Sequence, residues 1–123
     1  MEVLTEPRLA NPAQTTAVME RDEDIYDDGF LRVEHKNYYV ACGGSPIKLP
    51  RTEFLIFSRL TRTPNRIVAS DELWSSVWGT NKPLNTESLH VYIYRLRAKL
   101  ADFGLQIETM VNVGYRLITR TVN

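Results

Sequence analysis

The sequence predicts a small α+β domain in which antiparallel strands precede three helices and a β-hairpin ends the fold. Three observations lead to this fold class. Leucine and isoleucine recur at helical spacing between positions 89 and 100, two shorter apolar stripes precede them, and β-forming residues flank the whole helical region. With 123 residues, the chain is long enough for one hydrophobic core and too short for two.

The predicted strands follow a polar segment. Residues 1–24 contain two prolines and show no sustained periodicity, so we predict a disordered acidic tail before a folded domain at 25–121. β-Forming residues cluster at 30–34 and 38–42 around a polar turn, and a glycine-rich turn leads to a third short strand at 47–49. Together these segments predict a small antiparallel sheet.

Two short amphipathic helices are predicted after the sheet. The first begins at Pro50 or Thr52 and ends before Pro64. The second begins after Ser70, its predicted N-cap, and ends at Gly79. Their apolar positions are Phe54, Leu55, Phe57 and Leu60 in the first helix and Leu73, Trp74, Val77 and Trp78 in the second.

The third helix and the hairpin after it are the most informative part of the chain. The helix is predicted to begin after Asn85, to run to about Phe103 and to end at Gly104. Two strands follow, at 105–110 and 115–121. Strands, three helices and a hairpin in this order predict a winged helix-turn-helix. The core-facing stripe of the third helix consists of Leu89, Ile93, Leu96 and Leu100.

The opposite face of the third helix carries arginine, tyrosine, serine and one isolated valine. This composition suits a DNA groove, where arginine pairs with guanine edges and apolar groups meet thymine methyls. The residues that point outward are Glu87, Ser88, Val91, Tyr94, Arg95, Ala98 and Lys99, with His90 and Arg97 on one flank and Tyr92 on the other.

Several short motifs occur in a fixed order along the chain. They are Thr52-Glu53-Phe54 after Leu49, Arg66-Ile67-Val68, Val77-Trp78-Gly79, Arg95-Leu96-Arg97, and Gly114-Tyr115-Arg116-Leu117. In this order and spacing they resemble the OmpR/PhoB-type winged helix-turn-helix, the DNA-binding half of bacterial response regulators. The resemblance covers about residues 25–120. It implies a recognition helix in the major groove of double-stranded DNA, a wing at the adjacent minor groove, and a loop at Gly79 to Leu84 that touches RNA polymerase.

The resemblance also implies a role for individual residues. Those expected near bases are Ser88, His90 and Arg95. Those expected near the phosphate backbone are Trp78, Tyr92, Tyr94, Arg97 and Thr109. Val91, Lys99, Asn112 and Arg116 complete the predicted DNA-binding surface. Two alternatives stay open, since Arg97 could instead form a salt bridge with an acidic neighbour and Trp78 could instead belong to the core.

Two departures from the family pattern indicate a weaker DNA affinity or an altered target, and they leave a non-DNA function open. Glu87 stands where the family often has an arginine, and a carboxylate repels phosphate unless it accepts a hydrogen bond from cytosine. Val111 and Asn112 stand where the wing tip usually has Arg-Gly. The alternative is therefore a winged helix repurposed as a protein-protein interaction module.

Composition limits the other possibilities. The formal net charge is zero, yet residues 1–28 carry −6 and the remainder +6, so a basic domain carries an acidic tail. A single cysteine excludes an intrachain disulfide and a two-cysteine metal site. The two histidines lack companions at ligand spacing, and no nucleophile–base pair or phosphate loop is visible. We expect a non-enzyme without metal or cofactor.

The organisation of the chain adds three expectations. Neither a signal peptide nor a membrane-spanning apolar run is visible, so we expect a cytoplasmic protein that does not contact a membrane. The segment before the domain is too short for the receiver module that family members normally carry. A stand-alone regulator is favoured over a trimmed piece of a longer protein, because the sequence begins at Met1. Without a receiver, it should be a monomer in solution that pairs on DNA.

Overall fold

An antiparallel sheet of four strands, in the order β1-β2-β3-β4, forms the N-terminal part of the domain. The computed structural model describes residues 24–119. The strands of this sheet are Ile25–Asp27 (β1), Leu31–Glu34 (β2), Tyr39–Cys42 (β3) and Ser45–Ile47 (β4). A short 3-10 helix, His35–Asn37, connects β2 to β3.

Burial alternates along β2, whereas the last three residues of its partner β3 are all buried. Leu31 and Val33 of β2 are fully buried and pair in register with Cys42 and Val40 of β3, which are also buried. Arg32, between the two buried residues of β2, is partly exposed. Because successive side chains of a strand point to opposite faces, one face of the sheet covers the core and the other meets solvent.

The sheet differs from the sequence prediction at both edges. β1 is not predicted, since its three residues among acidic side chains carry no alternation of their own. The third predicted strand, at 47–49, is wrong in its position, because β4 occupies Ser45–Ile47. Gly43 and Gly44 both have positive φ and form a two-residue turn, which pairs Cys42 directly with Ser45. The strand therefore begins immediately after the glycines.

The three predicted helices are confirmed. They are Arg51–Thr61 (α1), Ser70–Trp78 (α2) and Thr86–Leu100 (α3), and α1 packs against both of the others. The predicted end of the third helix near Phe103 corresponds to a 3-10 turn, Ala101–Phe103, that continues α3. Gly104 ends it with a φ of 76°, a conformation that glycine adopts without a Cβ penalty.

One of the two predicted N-caps is confirmed. The side chain of Asn85 accepts a hydrogen bond from the backbone N–H of Ser88 at 3.0 Å and so caps α3. The prediction for Ser70 is wrong, because Ser70 is the first residue of α2 and Ala69 occupies the cap position. The Ser70 N–H instead donates to the Val113 carbonyl at 3.0 Å, which joins the start of α2 to the hairpin.

A second sheet has the order β5-β7-β6 and carries the hairpin. Its strands are Val68–Ala69 (β5), Gln106–Met110 (β6) and Gly114–Ile118 (β7). A Cβ at Gly114 would lie 2.0 Å from the carbonyl oxygen of Val68. Only glycine lets β5 and β7 approach this closely, which gives a physical reason for the glycine in the Gly-Tyr-Arg-Leu motif.

A single core lies between the two sheets and the helices. All four residues of the predicted α3 stripe are buried, as is Trp74 of α2. The predicted α+β winged helix-turn-helix, with an N-terminal sheet, three helices and a C-terminal wing, is thereby confirmed. The predicted tail at 1–24 lies outside the described residues except for Asp24, whose carboxylate is 3.1 Å from the Lys36 ammonium.

Candidate nucleic-acid interface

The face of α3 opposite the core is open to solvent. Tyr94 is 73% exposed, Val91 is 46% exposed, and His90 and Arg95 are also exposed. Ser88, Tyr92, Arg97 and Lys99 are half-buried at the edges of this face. The helix therefore presents a tyrosine, a valine, a histidine and an arginine on one exposed surface.

A row of aromatic rings connects this surface to the core. The Trp74 and Trp78 rings are stacked with centroids 4.0 Å apart, and the Trp78 and Tyr92 centroids are 5.5 Å apart. The guanidinium carbon of Arg95 lies over the Tyr92 ring, 5.8 Å from its centroid. Trp74 is buried, and its indole N–H donates to the Lys82 carbonyl at 3.0 Å. Trp78 is half-buried between the Trp74 and Tyr92 rings, and this burial agrees with the alternative that it belongs to the core.

Arg97 joins α3 to the wing. Its Nε donates to the Ile107 carbonyl at 2.8 Å, and its Nη2 donates to the Thr109 hydroxyl at 2.5 Å. Both acceptors are neutral groups of β6, and within residues 24–119 no carboxylate forms a salt bridge with Arg97. Arg97 and Thr109, both expected near phosphate, are hydrogen-bonded to each other in the free domain. This contact fixes the wing against α3.

Lys99 forms an ion pair with the neighbouring helix α1. Its ammonium is 2.7 Å from Oε1 of Glu53, a carboxylate of α1 that is buried. The Lys99 side chain is 38% exposed, and its ammonium is engaged by this carboxylate. Its role at a DNA interface stays a prediction. Sequence reasoning missed Glu53, although a charged residue beside the apolar stripe of α1 was a visible signal.

The wing carries little free charge. Nε of Arg116 is 2.7 Å from Oε1 of Glu108, and this pair crosses the hairpin on its exposed side. Asn112, with a φ of 66°, turns the chain at the tip. The tip is otherwise apolar, since Val111 is 74% exposed and the two flanking residues, Met110 and Val113, are also exposed.

A cleft of about 410 Å³ lies between the wing and the start of α2 and α3. It is lined by Ser70 and Asp71 of α2, by His90 of α3 and by residues 109–115 of the hairpin. None of the residues that line it is a lysine or arginine, so His90 is its only basic side chain. The His90 ring meets the Tyr115 ring edge-on, with centroids 6.0 Å apart.

The other histidine is part of the interior. Nδ1 of His35 is 2.6 Å from the Ser58 hydroxyl oxygen, and this contact joins the first sheet to α1. Burial, together with the nearby Arg62 guanidinium, lowers the pKa of His35 from 6.5 to about 4.

Within residues 24–119 no group of three or more histidine, cysteine or acidic side chains is placed to hold a metal ion. None of the described helices has the length and apolarity to cross a membrane.

The comparison with known families agrees with this geometry. A family model described as "Transcriptional regulatory protein, C terminal" matches residues 44–117, which include all three helices and the wing. The chain belongs to this family. Its members are named as transcriptional regulators, not as enzymes.

Relatives of the family give the same result. The response regulator ArlR of Staphylococcus epidermidis is 31% identical over 107 residues, and the match covers 84% of this chain and 49% of that protein. The chain spans about half the length of the curated relatives it matches. DrrB of Thermotoga maritima, an OmpR/PhoB homolog, has a TM-score of 0.67 at 26% identity and covers 95% of this chain and 56% of its own.

The solved relatives include a complex of a DNA-binding domain with its target site. The RstA DNA-binding domain of Klebsiella pneumoniae, in complex with the RstA box, has a TM-score of 0.63 at 26% identity and covers 76% of this chain and 96% of its own. The resemblance to the OmpR/PhoB-type winged helix-turn-helix, stated above from short motifs, is thus confirmed for both family and fold.

Proposed function

We propose that this domain binds a specific site in double-stranded DNA and regulates bacterial transcription, with α3 in the major groove and the wing at the minor groove. The observation that carries the proposal is the uncovered face of α3, where an arginine, a histidine, a tyrosine and a valine are exposed side by side. These are groups that read base edges and thymine methyls or hold phosphate. Membership of the family and the DNA complex of the RstA domain support it.

Arg95 is the residue best placed to read a base. It is exposed, and within residues 24–119 no carboxylate pairs with it. Its contact with the Tyr92 ring is made over the face of the ring, which leaves the N–H groups of the guanidinium free as donors. A guanidinium with free donors on the exposed face of a recognition helix suits the O6 and N7 acceptors of guanine.

The test begins with selection of preferred sites from a library of random duplexes, because the target is unknown. Arg95→Ala should then weaken binding to the selected site by about 1–3 kcal/mol and relax the preference at one base pair. Arg51→Ala, at an exposed arginine that begins α1, is the matched control and should leave both unchanged. An equal loss on selected and random duplexes would show that Arg95 contacts phosphate and not a base.

Glu87 offers a second test of the same surface. It is exposed in the first turn of α3, where its charge is favourable for the helix dipole and unfavourable beside phosphate. Glu87→Arg should tighten DNA binding and steepen the slope of log K against log salt by about one unit. A collapse of binding would instead show that Glu87 accepts a hydrogen bond from a cytosine of the site.

We further propose that the loop from Gly79 to Leu84 contacts RNA polymerase. The loop is exposed, and the indole N–H of Trp74 holds it at the Lys82 carbonyl. The test is Lys82→Ala, which changes the exposed side chain and keeps this carbonyl. It should reduce transcription from a promoter with the selected site and leave DNA binding unchanged. Equal transcription at equal occupancy would refute this role.

The remaining proposals concern assembly and location. We propose a monomer in solution that pairs on DNA and functions in the cytoplasm. Sedimentation of the free protein should give the mass of one chain, and two half-sites about one helical turn apart should be occupied cooperatively. A stable dimer in free solution would contradict the proposed assembly.

A protein-protein interaction module is the second candidate function. The exposed apolar wing tip favours it, because Val111 stands at the tip and the nearby Arg116 is already paired with Glu108. DNA binding should weaken steeply as salt rises, since phosphate contacts release counterions, whereas an apolar protein interface need not. Failure of the random-duplex library to yield any preferred site at low salt would favour this second candidate.

A further inference from the structure

Four side chains form a continuous row from the interior of the domain to the face of α3. The row begins at Trp74, which is buried, continues through Trp78 and Tyr92, and ends at the exposed Arg95. The distances between neighbouring centres are 4.0, 5.5 and 5.8 Å. We call these residues the aromatic row.

Helical spacing explains how two helices build this row. Trp74 and Trp78 are four residues apart in α2, and Tyr92 and Arg95 are three apart in α3, so each pair lies on one face of its helix. The contact between the Trp78 and Tyr92 rings joins the two helices. The hydrogen bond from the Trp74 indole to the Lys82 carbonyl anchors the inner end.

The outer end of the row restricts Arg95 without using its donors. An arginine on an exposed helix face samples many rotamers, and each must be given up when the guanidinium binds a base. A ring beneath the guanidinium favours one direction of the side chain before DNA arrives. Because the Tyr92 ring is itself packed against Trp78, this support does not move freely.

We propose that Tyr92 and Trp78 are positioning residues that set the direction of Arg95 and so its base selectivity. This inference rests on the proposed function. The ring of Tyr92 does the positioning, whereas the resemblance assigned Tyr92 and Trp78 to phosphate contacts. A phosphate contact would need the Tyr92 hydroxyl, whereas support of a cation needs only the aromatic face.

Two substitutions separate the ring from the hydroxyl. Tyr92→Phe keeps the ring and removes the hydroxyl, and Tyr92→Leu removes both and keeps an apolar side chain against Trp78. The quantity to measure is the ratio of affinities for the selected duplex and for the same duplex changed at the base pair that depends on Arg95. Tyr92→Phe should keep this ratio, and Tyr92→Leu should reduce it about two- to five-fold, the value of a cation–π contact at an exposed site.

A double-mutant cycle shows whether Tyr92 acts through Arg95. In an Arg95→Ala background, Tyr92→Leu should cause no further loss of selectivity, because the supported group is gone. Trp78→Leu and Trp78→Phe form a second pair, with the same expected outcomes, in case Tyr92→Leu unfolds the domain. A loss of selectivity by Tyr92→Leu that is equal with and without Arg95 would overturn the proposal.

NMR of the free wild-type protein tests the row without DNA. The side-chain signals of Arg95 should show ring-current shifts that persist in Tyr92→Phe and disappear in Tyr92→Leu. Shifts unchanged by Tyr92→Leu would overturn the inference, as would equal affinity losses in the phenylalanine and leucine variants on every duplex. If the wild type selects no DNA site, the proposed function and this inference are both refuted. If the wild type selects a site, but the ring-current shifts are unchanged by Tyr92→Leu or the two Tyr92 variants lose affinity equally, this inference alone is refuted.

Discussion

The ion pair between Lys99 and Glu53 leads to a prediction that separates folding from DNA binding. The Glu53 side chain is 4% exposed, and its Oε1 lies 2.7 Å from the Lys99 ammonium, whose side chain is 38% exposed. Lys99→Met would therefore leave a carboxylate in the interior without its partner. Lys99 should stabilise the domain and contribute little to the DNA interface, although it belongs to the recognition helix.

The magnitude follows from the unequal exposure of the two groups. Removing one partner of a fully buried ion pair costs about 3–5 kcal/mol, and an exposed pair contributes about 0.2–1 kcal/mol. The pair here is intermediate, because water screens the ammonium and hardly reaches the carboxylate. We expect Lys99→Met to lower the free energy of unfolding by about 2 kcal/mol and Tm by roughly 10 °C.

The reverse substitution should cost less. Glu53→Gln keeps the shape and an acceptor oxygen, and the Lys99 ammonium that remains can turn toward water. We expect a loss of about 1 kcal/mol, and the double variant should be more stable than the sum of the two losses predicts. Urea unfolding followed by tryptophan fluorescence measures all three, since Trp74 and Trp78 both lie in the domain.

Lys48→Met is the matched control. Lys48 is exposed and, within residues 24–119, forms no ion pair, so its loss should leave the urea midpoint unchanged. The folded Lys99→Met variant, assayed well below its Tm, should bind the selected duplex as the wild type does. If Lys99→Met is as stable as the wild type and binds DNA more weakly, Lys99 is a phosphate contact and the reasoning is wrong.

Three further predictions follow from contacts outside this pair. His35 stays neutral in the folded domain. Its contribution to the free energy of unfolding should therefore be fully present above its unfolded pKa of 6.5 and be lost as pH falls toward about 4. The free energy of unfolding, measured in urea, should fall by about 2 kcal/mol between about pH 7.5 and about pH 5. His35→Gln should abolish this pH dependence. Gly114→Ala should lower the free energy of unfolding in urea by about 1–3 kcal/mol, because its Cβ would overlap the Val68 carbonyl; an unchanged midpoint would contradict this. Arg97→Ala should speed hydrogen exchange of the β6 and β7 amides and leave that of α1 unchanged; equal protection in the wing would show that Arg97 does not hold it.

The sequence predicts those elements whose structure depends on residues close together in the chain. The helical spacing of three leucines and one isoleucine predicts the buried stripe of α3. Asn85 caps the helix as its side-chain chemistry suggests. β5 carries no such signal, since its two residues become a strand only by pairing with Tyr115 and Gly114, more than 40 positions later. Ser70 reads as an N-cap from its type alone, yet its N–H is engaged by the Val113 carbonyl of the wing.

In the candidate site, too, the sequence predicts what neighbouring residues determine and misses contacts between distant residues. Helical periodicity gave the outward direction of Tyr94 and Arg95, and the structure agrees. It could not show which cations already have partners, because those partners are distant in sequence. Lys99 meets Glu53 from 46 positions away, and Arg97 meets the wing 10 and 12 positions further along.

The distribution of partners among the cations bears on how this surface could select DNA. Three of the four arginine and lysine residues expected to bind DNA are hydrogen-bonded within the domain: Arg97 to β6, Lys99 to Glu53 and Arg116 to Glu108. Only Arg95 keeps its donors free, and it rests on the Tyr92 ring. Arg97 holds the wing against α3, Lys99 joins α3 to α1, and Arg116 joins the two strands of the wing. Cations used in this way add fewer phosphate contacts. Since phosphate contacts strengthen binding to every sequence alike, such an arrangement favours selectivity over non-specific affinity.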